Sequence, residues 1–212
     1  MEEAALPSSN PSTRRARVAR PADLETVTTI VALSFAEDPV WSPAFGDAPG
    51  PEARSAIWRT YLAAAMRFPW TWLSAGDEAT SVWFPPGQDE MTADQWDGFV
   101  EVMREHLGDD GAVRVVALFE RFDAAHPRAE PHYYLSLLGT HPDQRGAGHG
   151  MRLVADNLAR IDTEGMPAYL ESTNAANNDR YRGVGFEVVG SCEGHLPGSA
   201  ITTMWRPAAT RD

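Results

Sequence analysis

Hydrophobic and polar positions change their period several times along the chain, and each change marks an element. Residues 1–13 are small, polar and Pro-containing, and are expected to be disordered. The run RARVAR at 15–20 predicts a short first strand. Pro21-Ala22-Asp23 then opens a helix carrying Leu24, Val27, Ile30, Val31 and Phe35 at spacings of three and four, which stops near Pro39. The Pro- and Gly-rich stretch 38–52 predicts a loop. A second helix from Pro51 to Phe68 places Ile57, Tyr61, Leu62, Ala65 and Met66 at core spacing. Two β-prone runs around Gly76-Asp77, ended by Pro85-Pro86-Gly87, predict a hairpin. Helical patterns follow at 93–107 and 112–124, with the stripes Trp96, Phe99, Met103 and Val115, Leu118, Phe122 reading as core. The chain closes with a strand-length apolar run from Tyr133, an amphipathic helix from Met151, a strand in PAYLEST, and a last strand entered through Gly185-Phe186.

Between the run at Tyr133 and the helix lies Arg145-Gly146-Ala147-Gly148-His149-Gly150. A glycine-rich loop at a helix start offers unpaired backbone N–H groups and the positive end of the helix dipole, which together suit phosphate oxygens. Two phosphate ligands fail on spacing. A nucleoside-triphosphate loop needs Gly-Lys-Ser/Thr, but this one ends Gly150-Met151-Arg152. A dinucleotide fingerprint starting at Gly146 needs a small residue where Met151 stands, and lacks its later acidic residue.

The pattern Arg145-x-x-Gly148-x-Gly150 resembles the pyrophosphate loop of the GNAT superfamily of N-acetyltransferases. A second stretch, NAANNDRYRGVGFEVV, resembles the C-terminal motif of that family through Asn174 or Asn177, Tyr181, Gly185 and Phe186. Gly183-Val184 departs from the usual residues and is expected to loosen the short helix presenting Tyr181; Thr140 stands where valine is commoner. From about Arg17 to Trp205 the order of elements resembles the antibiotic-modifying branch of the family, which includes puromycin N-acetyltransferases. The resemblance implies an α/β fold: a mixed central sheet of about six to seven strands, helices on both faces, and a helical insertion between strands three and four. It implies a single domain over 14–212.

The chemistry that this resemblance implies is direct attack of an amine on the thioester of acetyl-CoA. Its pyrophosphate would sit on Arg145, Gly146, Ala147, Gly148, His149, Gly150 and Met151, with Asn174 and Asn177 as further cofactor contacts. The pantetheine arm would run along Leu137 to Thr140, through Leu138 and Gly139, with the Leu138 N–H aimed at the thioester oxygen. Tyr181 matches the general acid that protonates the leaving thiolate. The base that deprotonates the incoming ammonium is left open between Glu171 and His132. By the two-residue period, His132, Tyr134 and Ser136 share one strand face. His149 also reads as a surface residue at a helix start, and His126, His141 and His195 receive no role. Asp38 and Trp41 read either as a substrate wall or as a turn cap and a core residue. Trp41 or Trp83 would stack on a flat or apolar acceptor, with Tyr134 beside it.

Composition narrows the partners. With 212 residues, 43% hydrophobic and seven Trp, the chain can bury one large core. A formal net charge of −12 argues against nucleic acid and suits a cationic small-molecule amine. Cys192 is the only cysteine, which excludes an internal disulfide and a cysteine-based zinc site; no His/Asp/Glu cluster has ligand spacing, so no metal is expected. No apolar run approaches the roughly 18 residues of a membrane span, and no signal segment follows Arg14-Arg15. The expectation is a cytoplasmic monomer or homodimer without membrane partners. The rival to an enzyme is a non-catalytic acyl-CoA-binding regulator on the same fold. A protein acetyltransferase is disfavoured, because the inserted helices should close the acceptor side into a pocket.

Overall fold

The computed structural model describes residues 15–46, 50–196 and 199–209; the N-terminal segment expected to be disordered lies outside them. Seven strands form one sheet in the order β1–β2–β3–β4–β5–β7–β6. They are β1 (Arg17–Val18), β2 (Thr71–Leu73), β3 (Ala79–Phe84), β4 (Tyr133–Thr140), β5 (Ala168–Ser172), β6 (Glu187–Glu193) and β7 (Ala200–Arg206). Only β4 and β5 pair in parallel. A parallel pair requires a crossover, and α5 (His149–Glu164) supplies it.

Both faces of the sheet are covered, which is why every residue of β3 is buried rather than every second one. One face packs under α1 (Leu24–Ser34), α2 (Trp41–Phe45), α3 (Pro51–Ala65) and α4 (Ala93–Ala125), through Ile30, Trp58, Leu62, Phe84, Phe99 and Leu137. The other packs under α5 through Trp83, Leu135, Leu153, Leu158 and Leu170. Each such aliphatic side chain, fully buried, contributes roughly 1.5–3 kcal/mol. The face under α5 holds one polar anchor, Asn157, whose Oδ1 accepts from Ser81 Oγ at 2.7 Å and Trp83 Nε1 at 3.0 Å.

Three boundaries differ from the sequence pattern. The stretch 38–52, expected to be a loop, contains α2. Asp38 Oδ1 caps it by accepting from the N–H groups of Val40 and Trp41, and Trp41 packs on Phe45 and Trp58, so burial overrides the local Pro and Gly. The first two long helices end earlier than their stripes suggest, at Ser34 and Ala65. The two inserted helices meet at a one-residue break, Gly108, whose φ of 70° and ψ of 174° no helix accommodates.

Candidate active site

Between β3 and β4 the register shifts: Val82 lies opposite Leu137 but Trp83 lies opposite Leu135, so Ser136 is an extra residue in β4. Such a bulge bends the strand that carries it. Pairing of β4 with β5 stops at Leu135 and Leu170. Beyond that point β4 pairs only with β3 and β5 only with β7, so the sheet opens into a wedge. A cavity of about 710 Å³ occupies the wedge, and the free edge of β4 from Ser136 onward forms one wall.

The glycine loop closes one end. Arg145, Gly146, Gly148, His149, Gly150 and Met151 all line the cavity. Gly148 caps α5 with φ 77°, a left-handed conformation that side chains disfavour, and the first N–H groups of α5 are left without intrahelical acceptors. At Gly150 a Cβ would lie 2.8 Å from Thr140 Oγ1, so only glycine lets the helix start this close to β4. Arg145 Nη2 donates to the Ser34 carbonyl at 3.1 Å, tying the loop to α1. Arg152, which the sequence reading passed over, donates to the Ala147 carbonyl at 2.7 Å and lies 3.2 Å from His149 Nδ1.

Leu138, Thr140, Asn174 and Asn177 also line the cavity. The two asparagines have structural partners as well: Asn174 Oδ1 accepts from the Ala176 N–H and Asn177 Oδ1 from Arg180. Two residues expected at the cofactor lie off the wall. Gly139 faces α1, where a Cβ would meet Ser34 Oγ at 2.9 Å, and Ala147 takes part through its carbonyl bond to Arg152.

Tyr181, Glu171 and Tyr134 line the same cavity. Tyr181 sits on α6 (Asn178–Arg182), and its ring packs edge-on against Phe186. Its carbonyl accepts from the N–H groups of Val184 and Phe186, which join the helix to the turn that contains Gly183-Val184. Its phenol is pushed up to about 12, first by burial and then by Asp38, with Arg180 opposing. It therefore stays protonated at neutral pH.

Glu171 leaves its side chain 2% exposed, and neither carboxylate oxygen lies in hydrogen-bonding geometry with a described residue. The carboxyl is pushed up to about 8 by burial first and by Glu90; the nearby Tyr134 and Tyr169 hydroxyls oppose this without reaching bonding geometry. A group with that balance loses its proton near neutral pH, as a general base requires.

Two assignments, Trp83 and His132, change once the chain is folded, and for Trp41 and Asp38 the core and turn-cap alternative fits the structure. Trp83 is fully buried on the α5 face and donates to Asn157, so it cannot stack on an acceptor. Trp41 lines the cavity yet is only 4% exposed, and Asp38, also at the cavity, is committed to capping α2 and to accepting from Thr173 Oγ1 at 2.7 Å. His132 lies just ahead of β4 and outside the wedge: its Nδ1 donates to the Glu130 carbonyl at 2.7 Å and its Nε2 lies 3.0 Å from His126 Nε2. The imidazole near Glu171 is His126, whose Nδ1 is 3.8 Å from Glu171 Oε1, and burial holds its pKa down at about 4.

Sequence reasoning also missed Glu90 and Tyr61. Tyr61 Oη donates to Glu90 Oε2 at 2.6 Å and lies 2.6 Å from Ser136 Oγ at the bulge. Burial pushes the Glu90 carboxyl up to about 7. Tyr61 carries a helical core spacing and Glu90 an ordinary loop context, so neither has a signal in the sequence.

The chain matches no protein-family model. Among solved structures it is similar to a histone acetyltransferase HPA2 and related acetyltransferase from Corynebacterium glutamicum, at 20% identity over 93% of this chain and 98% of that one, with a TM-score of 0.62. It is also similar to arylalkylamine N-acetyltransferase 2 from Aedes aegypti, at 11% identity over 93% and 100% of the two chains, with a TM-score of 0.63. A polyamine N-acetyltransferase from Drosophila melanogaster follows at 18% identity over 91% and 98%, with a TM-score of 0.57. The seven-stranded mixed sheet with helices on both faces and the helical segment between β3 and β4 thus match the GNAT N-acetyltransferase fold of these structures.

Proposed function

We propose that this chain is an acetyl-CoA-dependent N-acetyltransferase acting on a small-molecule amine. The observation that carries the reading is the wedge itself, whose one cavity is lined by a phosphate-suited glycine loop, a buried, unpartnered carboxyl and a protonated phenol. Acetyl-CoA fits the loop on two counts: the N–H groups opening α5 suit a pyrophosphate, and the glycines at 148 and 150 leave the room that a Cβ would fill. Bound there, it supplies an acetyl thioester. The free edge of β4 from Leu138 holds the extended arm, and the Leu138 N–H stabilises charge on the thioester oxygen.

Glu171 takes a proton from the incoming ammonium. The freed amine nitrogen forms the C–N bond to the acetyl carbon and, cationic after the attack, gives up its second proton to solvent as the C–S bond breaks; Tyr181 gives its proton to the departing sulfur and recovers one from solvent. The names of two similar structures, an arylalkylamine and a polyamine N-acetyltransferase, support an amine acceptor. An acyl-CoA-binding regulator would need neither the phenol nor the buried carboxyl. The test is release of CoA thiol across a panel of amines that includes aminonucleoside and other antibiotic amines, with binding of acetyl-CoA, ATP and NAD measured alongside. Thiol release with at least one small amine, and binding of acetyl-CoA in preference to ATP and NAD, is expected. Tighter NAD binding, or faster turnover of histone-like peptides than of every small amine, would overturn it.

A further inference from the structure

A second cavity, of about 790 Å³, lies beyond the far end of the wedge, between the loop that follows β3, the C-terminal arm of α4 and the segment leading into β4. Glu90, Phe119, Phe122 and Tyr134 line both cavities, so the two adjoin at these four side chains. The second cavity is strongly acidic. Asp89, Glu90, Glu120, Asp123 and Glu130 face one guanidinium, Arg128, which is already paired with Asp123.

Glu90 is held at the junction by a rigid frame. Tyr61 fixes its carboxyl and is itself hydrogen-bonded to Ser136 at the bulge, while Arg67 donates to the backbone carbonyls of Asp89 and Glu90. Across Tyr134 stands Glu171, buried with both oxygens unpartnered. No arginine forms an ion pair with either carboxyl among the described residues, and the chain contains no lysine. Two buried carboxyls without a cation are costly to ionise, and a ligand carrying two positive charges removes that cost.

Building on the N-acetyltransferase reading, we propose that Glu90 and the second cavity bind a second cationic nitrogen of the acceptor, so that the preferred substrates are diamines or amines bearing a distal ammonium or guanidinium. The reacting nitrogen meets Glu171 in the wedge. The distal one meets Glu90 and the acidic chamber behind it, and the methylenes between them pass the rings of Phe119, Phe122 and Tyr134. The raised pKa of both carboxyls agrees with this, since burial is the first cause for each, with Asp123 also raising Glu90 and Glu90 also raising Glu171. A monoamine with an apolar tail would leave Glu90 unmatched.

The experiment compares kcat/KM for 1,4-diaminobutane and 1,5-diaminopentane with butylamine and pentylamine, read as thiol release at fixed acetyl-CoA. With no lysine in the chain, no lysine ε-amine of the protein competes as acceptor. The wild-type protein is expected to prefer the diamines by about tenfold or more, mostly through KM, the size that one charge-assisted contact supplies. Glu90→Gln retains an acceptor for Tyr61 and should bring that preference down to within about threefold of unity. Equal or better turnover of the monoamines by the wild type, or an unchanged preference in Glu90→Gln, would overturn the proposal. If the variant fails to fold, the wild-type ratio decides alone. Acetyl-CoA binding without transfer to any amine removes the acetyltransferase reading and this proposal with it, whereas transfer without diamine preference removes this proposal only.

Discussion

At the glycine-loop end of the wedge the groups facing the cavity are mainly backbone, the opening N–H groups of α5, whereas the rest of the wall presents the side chains of Tyr61, Glu90, Tyr134, Glu171 and Tyr181, brought together by five separate segments. The first end depends on space and on backbone direction, so a change of side chain matters only where glycine is required. The second depends on burial. Its carboxyls and phenols are set by the low-dielectric interior and by one another, so single substitutions there should alter chemistry or acceptor preference while leaving donor binding alone.

The largest expected effect tests the side-chain end. Tyr181→Phe keeps the ring against Phe186 and removes only the hydroxyl, so kcat and kcat/KM should fall together by about 10²- to 10⁴-fold with KM for acetyl-CoA nearly unchanged. A kcat within roughly threefold of wild type, with chemistry shown to be rate-limiting, would make Tyr181 a packing residue. The backbone end is tested by Gly148→Asp. At φ 77° any side chain is strained, a Cβ would lie 3.1 Å from Arg152 Nη1, and a carboxylate would occupy the phosphate seat. The dissociation constant for acetyl-CoA should rise by roughly 100-fold or more, about 2.7 kcal/mol; an unchanged constant would make the loop merely structural.

The third effect is graded rather than absolute. Glu171 acts as base only when ionised, and its folded pKa of about 8 lies above the ordinary carboxylate range, so kcat/KM should climb as pH rises through about 8 and fall on the acid side. Glu171→Gln should abolish that limb and lower the plateau by about tenfold or more. A limb that survives the substitution unchanged would move the titration to another group, with Glu90 first in line.

The legible parts of the site were those whose residues are neighbours in the chain. Gly146, Gly148 and Gly150 announce a helix start open to an anion because each glycine acts on its own stretch of backbone. The Tyr181 to Phe186 motif reads the same way. The fold class was implied by the family resemblance that the glycine loop and the Tyr181 motif carry, although α2 was missed because its stability comes from Trp41 packing on Trp58 rather than from local propensity. The two-residue period placed His132 and Tyr134 on one strand face, but it carries no information about which end of that face opens to the wedge, and His132 lies beyond it.

What the sequence determined by itself, then, was the element order, the glycine loop and the short motif from Tyr181 to Phe186, since these rest on backbone conformation and on spacing within a few residues. The tertiary structure alone decided where the wedge opens, because that depends on the register between β3 and β4 and on the bulge at Ser136. It likewise decided which tryptophan faces the cleft and which carboxyls are buried there. Burial is a property of everything packed around a side chain, and Glu90 and Glu171 acquire their chemistry from partners far away in the sequence.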